Sequence, residues 1–292
     1  LPILVSLITK LIDGNRKNAC LCDPASGSGT LLIEVGKKMG IRGTDIYGQE
    51  VNWNLYALTK MNLMLNGFKG ATFLWGDSLR SPKLLDHGGL KKFDIVVSVP
   101  PFADKWASEE AYDDFYRRFK YGIPPKSQVT WAYISHILAS LRNDGQAVVV
   151  VPVGVLFRNT ESKIREQIIE YNLLEAVIEL PSNLFHGTAI STAILVFRKE
   201  RMRTQTLFVD ARKGYISNKG LYKLSDKVLE QLPNIYKKFL IGEEVGGEKN
   251  GCPVYVATQD EIRHNKYDLK VIKYVEDKIE RKEIDVKDAL RK

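Results

Sequence analysis

Short apolar segments rich in β-branched residues alternate with longer segments of helical periodicity along most of the chain. This pattern predicts strands at residues 19–22, 45–48, 71–74, 94–99, 147–151, 174–180, 193–197 and 206–209, and helices near residues 29–39, 52–66, 131–141 and 161–170. Residues 94–99 and 147–151 are apolar almost throughout, which is typical of parallel strands buried on both faces. The alternation predicts an α/β fold with a doubly wound, mostly parallel sheet that binds ligands at the carboxyl ends of its strands. Because little helix separates the last predicted strands, we also expect an antiparallel strand at one edge.

The two ends of the chain differ in character from this central pattern. The chain begins at Leu1, inside a predicted amphipathic helix and without a signal peptide, so we expect a segment upstream. After about residue 212 the content of Lys, Glu and Asp rises, and a helix is predicted near residues 226–239. We therefore predict a domain at residues 1–212 and a charged, mainly helical extension at 213–292. Its tail, residues 275–292, is either a solvated helix or a docking helix.

Composition restricts the possible partners and the cellular compartment of the protein. The 292 residues are 44% hydrophobic and carry a formal charge of +8, which permits contact with a polyanion. Three cysteines cannot form a disulfide framework in a chain of this length, which indicates a reducing compartment such as the cytoplasm. No apolar run approaches the roughly 18 residues of a membrane span, so we expect no membrane partner.

A small-residue turn follows the first predicted strand. Residues 23–30 read Asp-Pro-Ala-Ser-Gly-Ser-Gly-Thr and open a helix. Small residues let the backbone approach a ligand closely, and the first turn of a helix offers free N–H groups. The spacing is neither the Walker phosphate-binding pattern nor Gly-x-Gly-x-x-Gly. The alternative is a tight turn with a purely structural role.

Acidic residues follow the next two predicted strands. Glu50 comes roughly 20 residues after the glycine-rich turn, where a carboxylate can accept hydrogen bonds from ribose hydroxyls. Asp77 follows the third strand, where a carboxylate can accept from an adenine amine. Glu50 alone would be interpreted as a solvent-exposed acid. Three successive strand ends with such groups together predict a nucleoside site.

The fourth candidate functional segment lies at the end of a buried strand and reads Ser98-Val-Pro-Pro-Phe102. Two prolines fix φ and stiffen the loop. An aromatic side chain beside them can stack on a base, as enzymes that act on flipped nucleobases require. The alternative is a strand that ends at proline, followed by a core phenylalanine.

Taken together, these segments resemble the methylation subunit of type I restriction–modification systems, an N6-adenine DNA methyltransferase. Residues 23–30 resemble its S-adenosyl-L-methionine loop, with Ser26 for a frequent Cys, and residues 48–50 and 76–77 resemble the motifs that hold ribose and adenine. Residues 119–127, 184–188, 207–211 and 265–269 are similar to later segments that separate this subunit from other methyltransferases. The resemblance implies a class I, Rossmann-like methyltransferase fold for residues 1–212, direct methyl transfer and no metal.

The resemblance also assigns residues to the site. The implied catalytic residues are Val99, Pro100, Pro101 and Phe102, and the implied cofactor-binding residues are Asp23, Ala25, Gly27, Ser28, Gly29, Thr30, Glu50, Asp77 and Ser78. The implied partners are DNA, a specificity subunit that reads the sequence, a second methylation subunit and, in a complete system, a restriction subunit. Phosphate contacts are predicted at Arg117, Arg118, Lys120 and Lys126, for which an ordinary solvated surface is the alternative.

The chain departs from the family at the catalytic loop, which elsewhere reads Asn-Pro-Pro-Phe or Asp/Asn/Ser-Pro-Pro-aromatic. In the family the polar side chain and the carbonyl after it accept hydrogen bonds from the target N6 amine, but Val99 offers no acceptor. Alternation predicts that Ser98 points to the opposite face. Loss of one preorganised polar partner can cost about 10²–10³ in rate. Either the chain is a slow or silent methyltransferase that keeps its cofactor pocket, or the carbonyl and Phe102 suffice.

The sequence leaves two other functions open. Val99 favours a non-catalytic S-adenosyl-L-methionine-binding subunit of a restriction-like defence complex. Pro-Pro-aromatic loops also occur in methyltransferases that act on RNA or on a protein glutamine, although the later segments argue against that class. The family's upstream helical domain and its Tyr/Phe-Thr-Pro segment are not found in this chain.

Overall fold

The strand and helix positions agree closely with the hydrophobic pattern. The computed structural model describes residues 2–14, 18–102, 104–184, 190–218, 221–245, 247–249 and 252–275. The strands in the described part are β1 Leu21–Asp23, β2 Ile46–Glu50, β3 Thr72–Trp75, β4 Leu85–Asp86, β5 Gly89–Leu90, β6 Phe93–Ser98, β7 Leu141–Pro152, β8 Leu174–Glu179, β9 Thr192–Arg198, β10 Thr206–Asp210, β11 Tyr215–Asn218, β12 Leu221–Leu224, β13 Gly247–Lys249 and β14 Cys252–Ala257. The helices are α1 Pro2–Leu11, α2 Thr30–Met39, α3 Trp53–Leu65, α4 Val129–Ser140, α5 Ser162–Glu170, α6 Asp226–Ile241, α7 Gln259–His264 and α8 Ile272–Val275.

Ten strands form one mixed sheet in the order β13-β14-β10-β8-β9-β7-β6-β1-β2-β3. Strands β3, β2, β1, β6 and β7 run parallel to one another in that order, and β8 is parallel to β10. The α/β fold and the mostly parallel sheet are therefore confirmed. The antiparallel edge is formed by β14 and β13, whereas β9 is antiparallel to both neighbours inside the sheet. Proximity along the chain predicted antiparallel pairing, but it does not fix the position of a strand in the sheet.

Helices cover both faces of the sheet and make two apolar layers. On one face Ile95 and Val97 of β6 pack in a cluster with residues of α1, α2 and α6, such as Leu7 and Leu32. On the other face Val96 packs with residues of α4, α5 and α8. Successive side chains of β6 thus enter opposite cores, which is why this strand is apolar throughout.

The sheet continues into the region that the sequence suggests as an extension. Strand β14 pairs with β10 from Thr206–Ala257 to Val209–Val254, and α6 packs against α1. The helix predicted at residues 226–239 corresponds to α6. Most of the 184–188 segment and residues 276–292 of the tail lie outside the described residues. None of the helices in the described ranges is long and apolar enough to cross a membrane.

Strand order also fixes where a ligand can enter. Strand β1 lies between β2 and β6, so the chain winds outward to β3 and then returns to the other side of β1. Leu21 has Ile46 as its partner on one side and Ile95 on the other. A reversal of this kind opens a crevice at the carboxyl ends of the two strands that diverge. The four segments singled out in the sequence follow β1, β2, β3 and β6 at this edge.

Candidate functional site

The glycine-rich turn after β1 is fastened to the acidic residue at the end of β2. The Glu50 carboxylate accepts hydrogen bonds from the backbone N–H of Gly27 at 2.8 Å and from that of Asn52 at 2.7 Å. Its side chain therefore faces the turn and is almost completely buried. From α3, Thr59 donates its hydroxyl to the Gly27 carbonyl at 2.9 Å. The turn is thus held in one conformation from two sides.

Two glycines of this turn have positive φ, but their surroundings differ. Gly27 has φ 56°, and a Cβ placed on it would meet no atom within 4 Å. Gly29 has φ 73°, and a Cβ there would lie 2.4 Å from the Thr59 methyl carbon. Gly29 is therefore required by the packing of α3, while the open space at Gly27 leaves room for a ligand against the backbone.

Alanine substitutions should separate these two roles. Gly27→Ala carries the left-handed backbone penalty, and we expect it to reduce the free energy of unfolding by about 1–2 kcal/mol. Gly29→Ala carries the same penalty and must also push Thr59 away from its bond to Gly27, so a further loss of about 1–3 kcal/mol is expected. Urea denaturation of both variants measures the difference. Equal losses would contradict the packing role of Gly29.

The loop after β3 is tied to the first two loops. Asp77 Oδ1 accepts the backbone N–H groups of Leu79 at 2.8 Å and Arg80 at 3.2 Å, which fixes its carboxylate at the start of a turn. The Ser78 hydroxyl, predicted as a cofactor contact, is buried and donates to the Pro24 carbonyl at 2.6 Å. Ser78 therefore connects the first and third loops.

An open cleft of about 690 Å³ lies beside these loops. Asp77 and Pro101 line it, so two of the predicted segments share one space. The remaining lining residues come from the end of β2, the Asp77 turn, residues 104–126 and α4: Val51, Leu79, Arg80, Asp104, Lys105, Trp106, Ala107, Glu109, Glu110, Lys126, Val129 and Tyr133. Its volume is in the range of small-ligand sites.

Sequence reasoning missed Val51, Val129 and Tyr133. Val51 directly follows Glu50 and is 56% exposed, so an apolar residue at a strand end was the available signal. Helix α4 is buried on almost all sides, and no periodicity marks the face that lines the cleft. Burial, followed by the charges of Asp77, Glu50 and Asp23, raises the pKa of Tyr133. The hydroxyl therefore keeps its proton and can donate a hydrogen bond.

Asp23 is a buried acid of the site. Burial, with a smaller contribution from the charge of Glu50, raises the pKa of Asp23 to about 7. Hydrogen bonds from the Ala25 N–H at 3.0 Å and from the Ser98 hydroxyl at 2.8 Å oppose the increase. A ligand with a positive charge near this carboxylate would favour its ionised form.

Ser98 and Val99 directly precede the two prolines, and their side chains point to opposite faces of the sheet. Ser98 is buried and directed to Asp23, whereas Val99 packs against the apolar cluster that contains Ile95 and Val97. The prediction that Ser98 points to the face opposite Val99 is therefore confirmed. Thr130 of α4 donates to the Pro101 carbonyl at 3.1 Å and anchors the loop at the cleft.

The four basic residues that follow this loop do not form one exposed patch. The prediction for Arg118 is wrong, because its guanidinium is buried and paired with Asp114 at 2.7 Å. Lys126 lies at the cleft and pairs with Glu109 at 2.9 Å. Arg117 lines a separate basic cleft, with Lys91 and other residues. The described residues contain no group of three His, Cys, Asp or Glu suited to a metal ion.

Comparison with known proteins identifies the family. The model for the family described as N-6 DNA Methylase matches residues 2–283. The chain belongs to the N-6 DNA methylase family. It is 34% identical over 281 residues to the methylase subunit of the type I restriction enzyme MpnII from Mycoplasma pneumoniae, a match that covers 91% of this chain and 50% of the relative.

Two further likenesses support the family and the fold of this N-6 DNA methylase. The chain is 34% identical to the MjaVIII methylase subunit from Methanocaldococcus jannaschii, with 98% of this chain and 50% of that protein covered. It is similar to the crystal structure of a type I restriction–modification methyltransferase subunit from Streptococcus thermophilus, with a TM-score of 0.82, 29% identity, and 93% of this chain and 58% of that chain covered. The predicted class I methyltransferase fold is thus confirmed. The chain spans about half the length of the curated relatives.

Proposed function

We propose that this chain is part of the methylation subunit of a type I restriction–modification system and transfers a methyl group from S-adenosyl-L-methionine to adenine N6 in DNA. The observation that carries the proposal is the meeting of the β1, β2, β3 and β6 ends at one edge, with Asp77 and Pro101 in one cleft. Membership of the N-6 DNA methylase family supports the reaction class.

The site residues fit an adenosyl cofactor. Gly27 leaves open space beside the backbone, the Glu50 carboxylate faces the same turn, and Asp77 lines the cleft. In this proposal Asp23 and residues 25–30 form the wall behind the cofactor, Glu50 holds the ribose, and Asp77 accepts from the adenine amine. When bound, the cofactor supplies an electrophilic methyl group.

The contribution of the chain to the reaction is orientation. In the proposal the Pro100–Pro101 segment presents the target adenine, and Phe102 stacks on the base. Such a rigid arrangement removes much of the entropic cost of bringing two reactants into line. Thr130 supports this rigidity through its bond to the Pro101 carbonyl.

Val99 supports a second candidate function, a cofactor-binding subunit without catalysis in a restriction-like defence complex. Valine has no acceptor for the target amine, and the hydroxyl of Ser98 is engaged with Asp23. Either function retains the cofactor cleft. The two differ in whether the backbone carbonyl and Phe102 orient the amine well enough.

The proposed assembly is supported by the relatives, which are named as methylase subunits of type I restriction enzymes. A specificity subunit would select the DNA site, a second methylation subunit would complete the enzyme, and a restriction subunit would join it. Residues 213–292 include the charged tail, and we propose subunit docking for this region.

Two measurements test the proposed function. Calorimetric titration of the full-length protein with S-adenosylhomocysteine should show binding at one site. With the specificity subunit and DNA that carries its site, tritium from labelled S-adenosyl-L-methionine should enter the DNA. Phe102→Ala should lower incorporation about 10- to 100-fold, because stacking of a base on an aromatic side chain contributes roughly 1–3 kcal/mol.

The outcomes separate the candidates. Absence of S-adenosylhomocysteine binding would exclude both functions, because both depend on the cofactor cleft. Binding without incorporation above the Phe102→Ala level would favour the non-catalytic subunit. Incorporation into RNA or protein rather than DNA would replace the proposed substrate.

A further inference from the structure

A buried arginine lies behind the Asp77 turn. Arg118 belongs to the segment between the diproline loop and α4, and only 6% of its side chain is exposed. Burial of a guanidinium costs free energy unless its N–H donors are paired. The hydrogen-bond partners of Arg118 therefore indicate its role.

Four of the five N–H donors of Arg118 have an oxygen acceptor, and the fifth faces a histidine ring nitrogen. The Nε–H and one Nη2–H group contact Asp114 Oδ1 at 2.9 and 2.7 Å. The other Nη2–H donates to the Leu79 carbonyl at 2.8 Å, and one Nη1–H donates to the Ser78 carbonyl at 3.0 Å. The last Nη1–H faces His136 Nδ1 at 3.4 Å.

The surrounding charges keep this set of acceptors intact. Burial and the charge of Arg118 lower the pKa of His136 to about 3, so its ring is neutral at ordinary pH and one ring nitrogen can accept. Asp114 also accepts the Arg118 backbone N–H at 2.6 Å, so the carboxylate is fixed by the same residue that it pairs with.

The two carbonyls that Arg118 holds belong to the turn that orients Asp77. Asp77 bonds to the N–H groups of Leu79 and Arg80, and Arg118 binds the carbonyls of Ser78 and Leu79. Leu79 also packs in a small apolar cluster with Trp106, Phe119 and Tyr133. One guanidinium therefore joins the turn to the cleft wall formed by residues 104–129.

We propose that Arg118 is a positioning residue, which sets the Asp77 carboxylate in place for the adenine of the cofactor through the backbone of residues 78 and 79. This inference rests on the proposed function. A lysine cannot replace the arginine, because its single ammonium group cannot reach Asp114 and two separate carbonyls in the geometry of a planar guanidinium. The charge alone is therefore not enough.

The test compares Arg118→Lys and Asp114→Asn with wild type in the full-length protein. We expect the dissociation constant for S-adenosylhomocysteine, measured by calorimetry, to rise about 10- to 100-fold in both variants, on the scale of lost hydrogen bonds to charged groups. Arg263→Lys is the matched control. Arg263 makes a similar two-point pair with Glu170, but 42% of its side chain is exposed, and we expect no change in affinity.

Thermal melting of the same samples without ligand separates positioning from a general structural role. A structural role alone would lower the melting temperature and leave the affinity of the folded protein unchanged, and that result would overturn the inference. If Arg118→Lys fails to fold, Asp114→Asn provides the affinity comparison. Failure of the wild-type protein to bind S-adenosylhomocysteine would instead contradict the proposed function, so the two failures are distinguishable.

Discussion

Replacement of Val99 by asparagine is expected to increase methyl transfer to DNA by about 10²–10³-fold, the usual effect of one preorganised polar partner in a catalytic site. The substitution would place an amide oxygen directly before Pro100, where the target amine is proposed to lie. No other side chain of this strand end can do the same, because Ser98 is directed to Asp23 at 2.8 Å on the opposite face. The measurement is the initial rate of tritium incorporation with the specificity subunit present.

Val99→Asn should lower the stability of the fold only slightly, so the expected increase in rate should remain measurable. Val99 is half-buried at the end of β6, where it packs at the margin of the apolar cluster. Asparagine is similar in size but loses apolar contact, and we expect a decrease of about 1 kcal/mol in the free energy of unfolding. Binding of S-adenosylhomocysteine should remain at the wild-type level, since the side chain adds no group to the glycine turn.

Val99→Leu is the matched control, because it changes the volume without adding an acceptor, and it should not raise the rate. An equal rate in Val99→Asn and wild type would show that position 99 does not limit the reaction. Such a result would favour orientation of the amine by the backbone carbonyl and Phe102 in an active wild-type enzyme. In an inactive one it would show that the deficiency lies elsewhere in the complex.

The central strands and the loops after them could be predicted because local chemistry determines them. A strand such as β6 must be apolar on both sides to lie between two helical layers. The turn needs glycine at positions 27 and 29, because both have a positive φ that residues with a Cβ rarely adopt. The alternation of a strand also predicted the direction of Ser98 correctly.

The features that could not be predicted depend on groups that are distant in the chain. Arg118 looks like a surface cation in the sequence, and only the fold brings the carbonyls of Ser78 and Leu79, some 40 residues away, to its guanidinium. Tyr133 belongs to a helix that is buried on nearly all sides, so its place in the cleft depends on how α4 lies against the sheet. The interior position of β9 is likewise a property of strand order.

The raised pKa of Asp23 should make the free energy of unfolding depend on pH. Because burial raises the pKa of folded Asp23 from 3.8 to about 7, the folded state retains a proton that the unfolded state has lost between these values. Stability contributed by this proton is present at low pH, falls as pH rises through the window from about 4 to 7, and is gone above it. Between pH 5 and pH 8 the loss amounts to roughly 2–3 kcal/mol in the free energy of unfolding.

Asp23→Asn should remove this dependence. The amide oxygen can still accept from the Ala25 N–H and the Ser98 hydroxyl, so the folded hydrogen bonds remain while the charge disappears. The free energy of unfolding of the variant minus that of the wild type should therefore increase by about 2–3 kcal/mol between pH 5 and pH 8. Urea denaturation of both proteins at both pH values measures this difference.

Glu161 provides the control for this experiment. Burial raises the pKa of Glu161 to about 7 as well, so this residue also lowers stability as pH rises through the same window. Asp23→Asn does not change that contribution. Glu161→Gln alone should remove only that second contribution, and the double variant should remove both. If Asp23→Asn and wild type lose the same free energy between pH 5 and pH 8, Asp23 is ionised in the folded protein throughout that range. The glycine turn would then present a permanent negative charge, instead of a carboxyl group whose ionisation a cationic ligand can promote.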